Sequence, residues 1–149
     1  MNSKIPFVLL CLAFSGTEVY AACENNQRLN QNELKAAFPS KTVSFDCVTD
    51  CDQWMAATSV DWHERHDGAI GGDEGDLIEI GTGAGGSQPS EVVGIWRIQG
   101  QRIRYTYTGD STVYRFTVVP IDISGGLGSS GSTYEFCLQG TYKAKGTID

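Results

Sequence analysis

The densest group of reactive side chains is Asp61-Trp62-His63-Glu64-Arg65-His66-Asp67, which contains both histidines of the chain. On a strand, Trp62, Glu64 and His66 project to one face, and Asp61, His63, Arg65 and Asp67 to the other. The two imidazoles then point apart and cannot chelate one ion together. On a helix His63 and His66 would share a face, but an i, i+3 pair lacks the H-E-x-x-H spacing of a zinc protease. The strand leaves Glu64 beside His66, a carboxylate–imidazole pair in which the acid raises the imidazole pKa and selects its tautomer. Such a pair can act as a base, as half of a metal site, or as a satisfied polar contact at a sheet edge. With Trp62 it forms one candidate ligand-binding face.

Asp73, Glu74 and Asp76 follow Gly71-Gly72 and place three carboxylates within four residues, the hard-oxygen chemistry that calcium prefers. The spacing matches neither the EF-hand loop nor the glycine-aspartate nonapeptide, which must repeat to stack its sites. A solvated acidic hairpin tip is the ordinary reading. Arg97, Arg102, Arg104 and Arg115 fall at one parity with Thr106 and Thr117, so one side of one sheet gathers a basic surface. The arginine fork suits a glycan, a phosphate or the acidic surface of another protein, unless Glu79, Glu91 or Glu135 neutralises it across strands. No G-x-S-x-G elbow occurs, which argues against a serine hydrolase. No cofactor motif occurs, so no cofactor is assigned.

These residues must be positioned by a chain that starts with an export signal. Lys4 precedes the apolar run Ile5 to Phe14, and Val19 and Ala21 occupy the −3 and −1 positions of a signal-peptidase site. We read 1–21 as a signal peptide and 22–149 as one β-rich domain, secreted or periplasmic. Ala21-Ala22-Cys23 resembles the end of a lipobox, and a lipoprotein anchored at Cys23 is the competing reading; Tyr20 stands where that motif wants Leu. Without the leader, 10 Lys+Arg face 17 Asp+Glu, an acidic balance that argues against phosphate-driven nucleic-acid binding. The run at 5–14 is too short to span a bilayer, which takes about 20 apolar residues, and no other segment is more apolar.

Cys23, Cys47, Cys51 and Cys137 remain, enough for two disulfides in an oxidising compartment. A Cys47–Cys51 bridge would close too short a loop to stabilise much. The expectation is a bridge from Cys47 or Cys51 to Cys137, with Cys23 taking the other. C-x-x-C spacing is missing, which argues against a redox pair.

Asn30 or Asn32 can cap a short helix carrying Leu34, Ala36, Ala37 and Phe38, ended by Pro39. Period-two patterning then predicts strands at 43–47, 57–66, 76–81, 92–99, 102–108, 113–119, 134–138 and 141–145. Trp96 and Ile98, then Ile103, Tyr105 and Tyr107, then Tyr114, Phe116 and Val118 make a meander with one buried face. Residues 81–90 and 124–133 read as glycine- and serine-rich loops that bury too little apolar surface to order themselves, possible rims of a binding site. The fold class is mainly β: an antiparallel meander forming a curved sheet or small open barrel, disulfide-stapled, with one short N-terminal helix.

Gly94-Ile95-Trp96 resembles the G-x-W of lipocalin-like and avidin-like barrels, but there it opens the first strand and here it lies past the middle of the domain, so nothing is taken from it. The order Thr42-Val43 before Cys47, then Trp62, Glu64 and His66, then Gly94 and Trp96, then Tyr105-Thr106-Tyr107 and Phe136-Cys137 resembles small uncharacterised exported bacterial proteins. That resemblance implies export and an all-β fold and brings no activity.

The leading expectation is a non-enzymatic binding or interaction module outside the cytoplasm, its partner an unknown protein, a glycan or a small anionic ligand. The alternative from another class is a small metal-dependent or acid/base hydrolase using Glu64 and His66. A further one is a subunit of a surface assembly, self-associating through strand edges.

Overall fold

The computed structural model describes Cys23 and residues 27–50, 61–80 and 90–149. The signal-peptide reading at 1–21, Cys51, the predicted strand start at 57–60 and the loop at 81–89 lie outside the described residues. Within them the chain runs α1 (Gln31–Ala37), β1 (Thr42–Cys47), β2 (Asp61–His66), β3 (Glu74–Ile80), β4 (Glu91–Gln99), β5 (Arg102–Tyr107), β6 (Tyr114–Asp122), β7 (Thr133–Leu138) and β8 (Thr141–Ile148). Each strand pairs antiparallel with the next, and β1 pairs with β8. The mainly β architecture with one helix stands, and the sheet closes where an open barrel was one expectation. Closure leaves no free strand edge among the described strands, which removes the edge-pairing route to self-association.

Helix α1 forms because Asn30 and Glu33 build a reciprocal cap. The Asn30 side chain accepts from the Asn32 and Glu33 amides at 2.9 and 3.1 Å, and Glu33 accepts from the Asn30 amide at 2.7 Å. The helix seats Leu34, Ala37 and Phe38 into one end of the barrel, all fully buried. There Phe38 packs on His66, Tyr134 and Phe136, with ring centroids 5.2–5.7 Å apart.

The connection at 123–132 closes the same end, and here the expectation of a loop unable to order itself is corrected. Backbone turns, the Ser129 and Ser132 hydroxyls on the Gly125 and Gly126 carbonyls, and the Gly128 amide on the Tyr134 hydroxyl hold it. Gly128, at φ +69°, sits so close to α1 that a Cβ would fall 2.7 Å from the Ala37 carbonyl oxygen. Hydrogen bonds and close approach replace apolar burial as the ordering force.

The disulfide joins Cys23 to Cys137, 114 residues apart, which corrects the expected pairing of Cys137 with Cys47 or Cys51. A loop of that length corresponds to roughly 4–5 kcal/mol on the chain-entropy account. It ties the segment before α1 to β7, and the Leu29 amide reinforces the tie with a 2.8 Å bond to the Val118 carbonyl. Cys47 is disulfide-bonded as well.

The meander buries Trp96, Ile98, Ile103, Tyr105, Phe116 and Val118, as its alternation requires. Gly94 serves that burial. The register slips opposite it, Leu77 pairing with Gly94 and Ile78 with Val92, and a Cβ at Gly94 would stand 2.3 Å from the Thr106 carbonyl oxygen. A backbone oxygen held in a ladder cannot move aside as a side chain can. Gly94→Ala should therefore lower the unfolding free energy by about 3 kcal/mol, the upper part of the overpacking range, in urea titrations; an unchanged midpoint would contradict the close packing of β4 on β5.

Candidate functional site

Strand β2 sends Trp62, Glu64 and His66 into the barrel and His63 outward, so the two histidines do point apart. The inward residues occupy successive depths. His66 lies nearest α1 and is fully buried, Glu64 is 3% exposed, and Trp62 is partly exposed toward the end where β1, β3, β5 and β7 terminate.

The expected Glu64–His66 pair does not form, because each side chain finds its own tyrosine on β5. His66 Nε2 meets the Tyr105 hydroxyl at 2.8 Å, and the Tyr107 hydroxyl donates to Glu64 Oε2 at 3.3 Å. Burial drives the imidazole pKa down to about 3, against a weaker upward pull from the Lys41 backbone. Burial likewise raises the Glu64 carboxyl to about 7, while hydrogen bonds from Tyr107 and Trp62 act to lower it and the nearby Glu79 charge raises it further. The neutral ring is packed against Phe38, Trp96 and Tyr105. The hydrolase reading's base is thus fully buried in aromatic packing.

Around Glu64 a crevice of about 10 Å³ is walled by Phe45, Trp62, Tyr105, Tyr107, Phe116 and Phe136, room for about one water-sized group. Phe45 and Trp62 stack at 4.8 Å with an interplanar angle of 16°.

Outside, Arg97, Arg104 and Arg115 form one cross-strand row over β4, β5 and β6, Arg97 opposite Arg104 and Arg104 opposite Arg115. Arg97 is neutralised by Glu74 at 2.5 Å, not by Glu79, Glu91 or Glu135. Arg102, Arg104 and Arg115 are joined by Arg28, which the sequence had not flagged, and with Gln99 and Gln101 they line an open hollow of about 460 Å³. Among the described residues no carboxylate lies within 4.0 Å of these four guanidinium groups; Arg104 donates to the Gln99 side-chain oxygen, and Arg115 to the Val113 carbonyl at 3.4 Å.

The acidic trio is dispersed. Asp73 pairs with Lys35 at 3.3 Å and Glu74 with Arg97, while Asp76 points out from β3. Among the described residues the only cluster of three metal-type ligands is Cys23, Glu135 and Cys137, whose sulfurs are tied up in the disulfide. A second grouping was not foreseen: Ser44, His63 and Asp149 meet on the barrel exterior. Ser44 Oγ sits 2.6 Å from His63 Nδ1 and donates to Asp149, whose other oxygen is 3.5 Å from the same nitrogen. A catalytic triad needs serine and carboxylate on opposite ring nitrogens, so this trio is a surface tie.

Fold and site define a closed eight-stranded barrel with a buried acid inside and a basic hollow outside. No protein-family model matches the chain, and no curated protein or solved structure does either.

The two buried groups titrate in opposite senses. Glu64 has an ordinary value of 4.5 and a folded value of about 7, so its contribution falls as pH rises through that window, by roughly 3 kcal/mol in all. His66, ordinarily 6.5 and about 3 when folded, contributes stability that is lost as pH falls below 6.5. Between these limits the slopes offset each other, and single variants unmask them. Relative to wild type, Glu64→Gln should gain stability as pH rises from 4.5 to 7, and His66→Gln as pH falls from 6.5 toward 3. Urea unfolding across this range measures both; a pH-independent difference between wild type and Glu64→Gln would contradict the buried acid.

Proposed function

We propose that the protein is an exported, non-enzymatic binding module whose arginine hollow takes an anionic ligand, such as phosphate, a charged glycan or an acidic protein surface. One observation carries this reading: four guanidinium groups line one hollow, and among the described residues no carboxylate sits on them, in a chain of net charge −7. Directly opposed like charges destabilise a sheet, and the Arg104–Arg115 pair keeps that cost with acids abundant elsewhere. A volume of about 460 Å³ falls in the range of ligand sites, and the planar forks suit oxyanions.

Export is supported by the leader reading and by the Cys23–Cys137 disulfide, since such bonds persist in oxidising compartments. No helix among the described residues is long and apolar enough to cross a membrane. The hydrolase alternative has no support from the geometry of His66.

Two outcomes follow. Inorganic pyrophosphate should bind, more weakly as salt rises, and replacing Arg102, Arg104 and Arg115 together by alanine should weaken it at least about tenfold, given roughly 1.5–3 kcal/mol for each bond to a charged group. Calorimetry checks this, and equal binding by both proteins would dispose of the hollow. Independently, Arg115→Gln should stabilise the free protein by a few tenths of a kcal/mol at low salt, a gain that fades as salt screens the pair. A loss of stability instead would make Arg115 a structural residue.

A further inference from the structure

We propose that the crevice beside Glu64 is a second binding site, separate from the arginine hollow, and that it takes a primary alkylammonium group. The argument is one of charge, size and donor chemistry. Among the described residues no lysine or arginine lines the crevice; its walls are aromatic rings and Ala144, and its one ionisable carboxyl is Glu64. Among the described residues the titratable groups facing Glu64 are Tyr105 and Tyr107 on β5, Glu79 on β3 and His66 on its own strand, and none supplies positive charge: the phenols are held protonated and the imidazole neutral by burial. Ring faces carry negative quadrupole potential. The crevice therefore favours a cation.

Which cation follows from the space and the ligands. One carboxylate and two phenols fall short of the six to eight oxygens that calcium takes, or of magnesium's octahedron. A space of about 10 Å³ excludes the planar guanidinium fork and the methylated quaternary ammonium. A primary ammonium head is a compact point charge with three donors on a flexible stem; it replaces one water-sized group, donates to Glu64 and lies against the rings of Trp62 and Tyr107. The stem leaves past these two side chains, the partly exposed members of the wall. A free amine and a lysine side chain offer the same head.

Titration of n-butylamine into the protein, followed by the NMR signal of the Trp62 indole N–H, tests this. Butylamine should shift that signal, while tetramethylammonium and guanidinium at equal ionic strength should not. Binding should be about tenfold weaker near pH 6 than near pH 8, because Glu64 must release its proton while an amine with a pKa near that of lysine stays charged at both. Glu64→Gln should weaken binding at least about tenfold and abolish the pH dependence. Nα-acetyl-lysine methylamide separates the sources: a matching shift admits lysine side chains of polypeptides, and no shift restricts the site to free amines. Equal responses to butylamine and tetramethylammonium, or from wild type and Glu64→Gln, would overturn the proposal, and so would no response to butylamine near pH 8.

Discussion

The pairing of β1 with β8 is the constraint from which the rest of the molecule follows. Once the sheet closes, every strand residue lies either inside or outside, and no edge remains where a polar group could be half-solvated. Strand alternation then sets the chemistry of each side. Inside, eight strands leave a space that side chains fill, so a titratable residue at an inward parity must be neutralised or bonded where it stands. Outside, cross-strand neighbours are fixed at close range, and three arginines at one parity on three consecutive strands have to line up.

The inward parity of β2 explains why two groups that resemble a catalytic pair in sequence are not one. Glu64 and His66 are two positions apart on one strand, so they stack along the barrel axis, and each reaches across to the β5 residue at its own depth. Tyr105 and Tyr107 share that spacing on their strand, which gives each buried polar group a hydroxyl. Desolvation shifts both groups toward their neutral forms, because it outweighs the one or two bonds available. An imidazole whose basicity is lowered by burial and which is sealed under Phe38 packs as part of the core.

Much of this was legible in the residues. The alternation of Trp96 through Val118 gave the meander and its arginine face, and the parity of 61–67 gave the divergence of the histidines, because both depend only on neighbours along the chain. Closure was not legible, since the β1–β8 ladder joins segments about a hundred residues apart and leaves no local signature. The disulfide was misassigned for the same reason: once the barrel closes, Cys23 beside α1 lies next to β7, a proximity that loop-length arguments cannot supply. Ser44, His63 and Asp149 meet only through registers on β1, β2 and the end of β8. The stretch at 124–132 was misread because composition reports apolar burial and is silent on serine-to-carbonyl bonds and on a glycine fitted against a helix.

The placement of charge is the last step that closure permits. In an open sheet the row Arg97, Arg104, Arg115 could relax by splaying its strands, but in a closed barrel the strand positions are held by the whole circumference. The first member of the row is neutralised by Glu74 from the adjoining strand. Among the described residues the remaining two face Arg102 and Arg28 instead of acids, although the chain has more carboxylates than cations. Random mixing of surface charge in an acidic protein would surround arginines with acids, each pair gaining up to about 1 kcal/mol. If the hollow takes an anion as proposed, no ion pair among the described residues has to break first, and such preorganisation raises affinity.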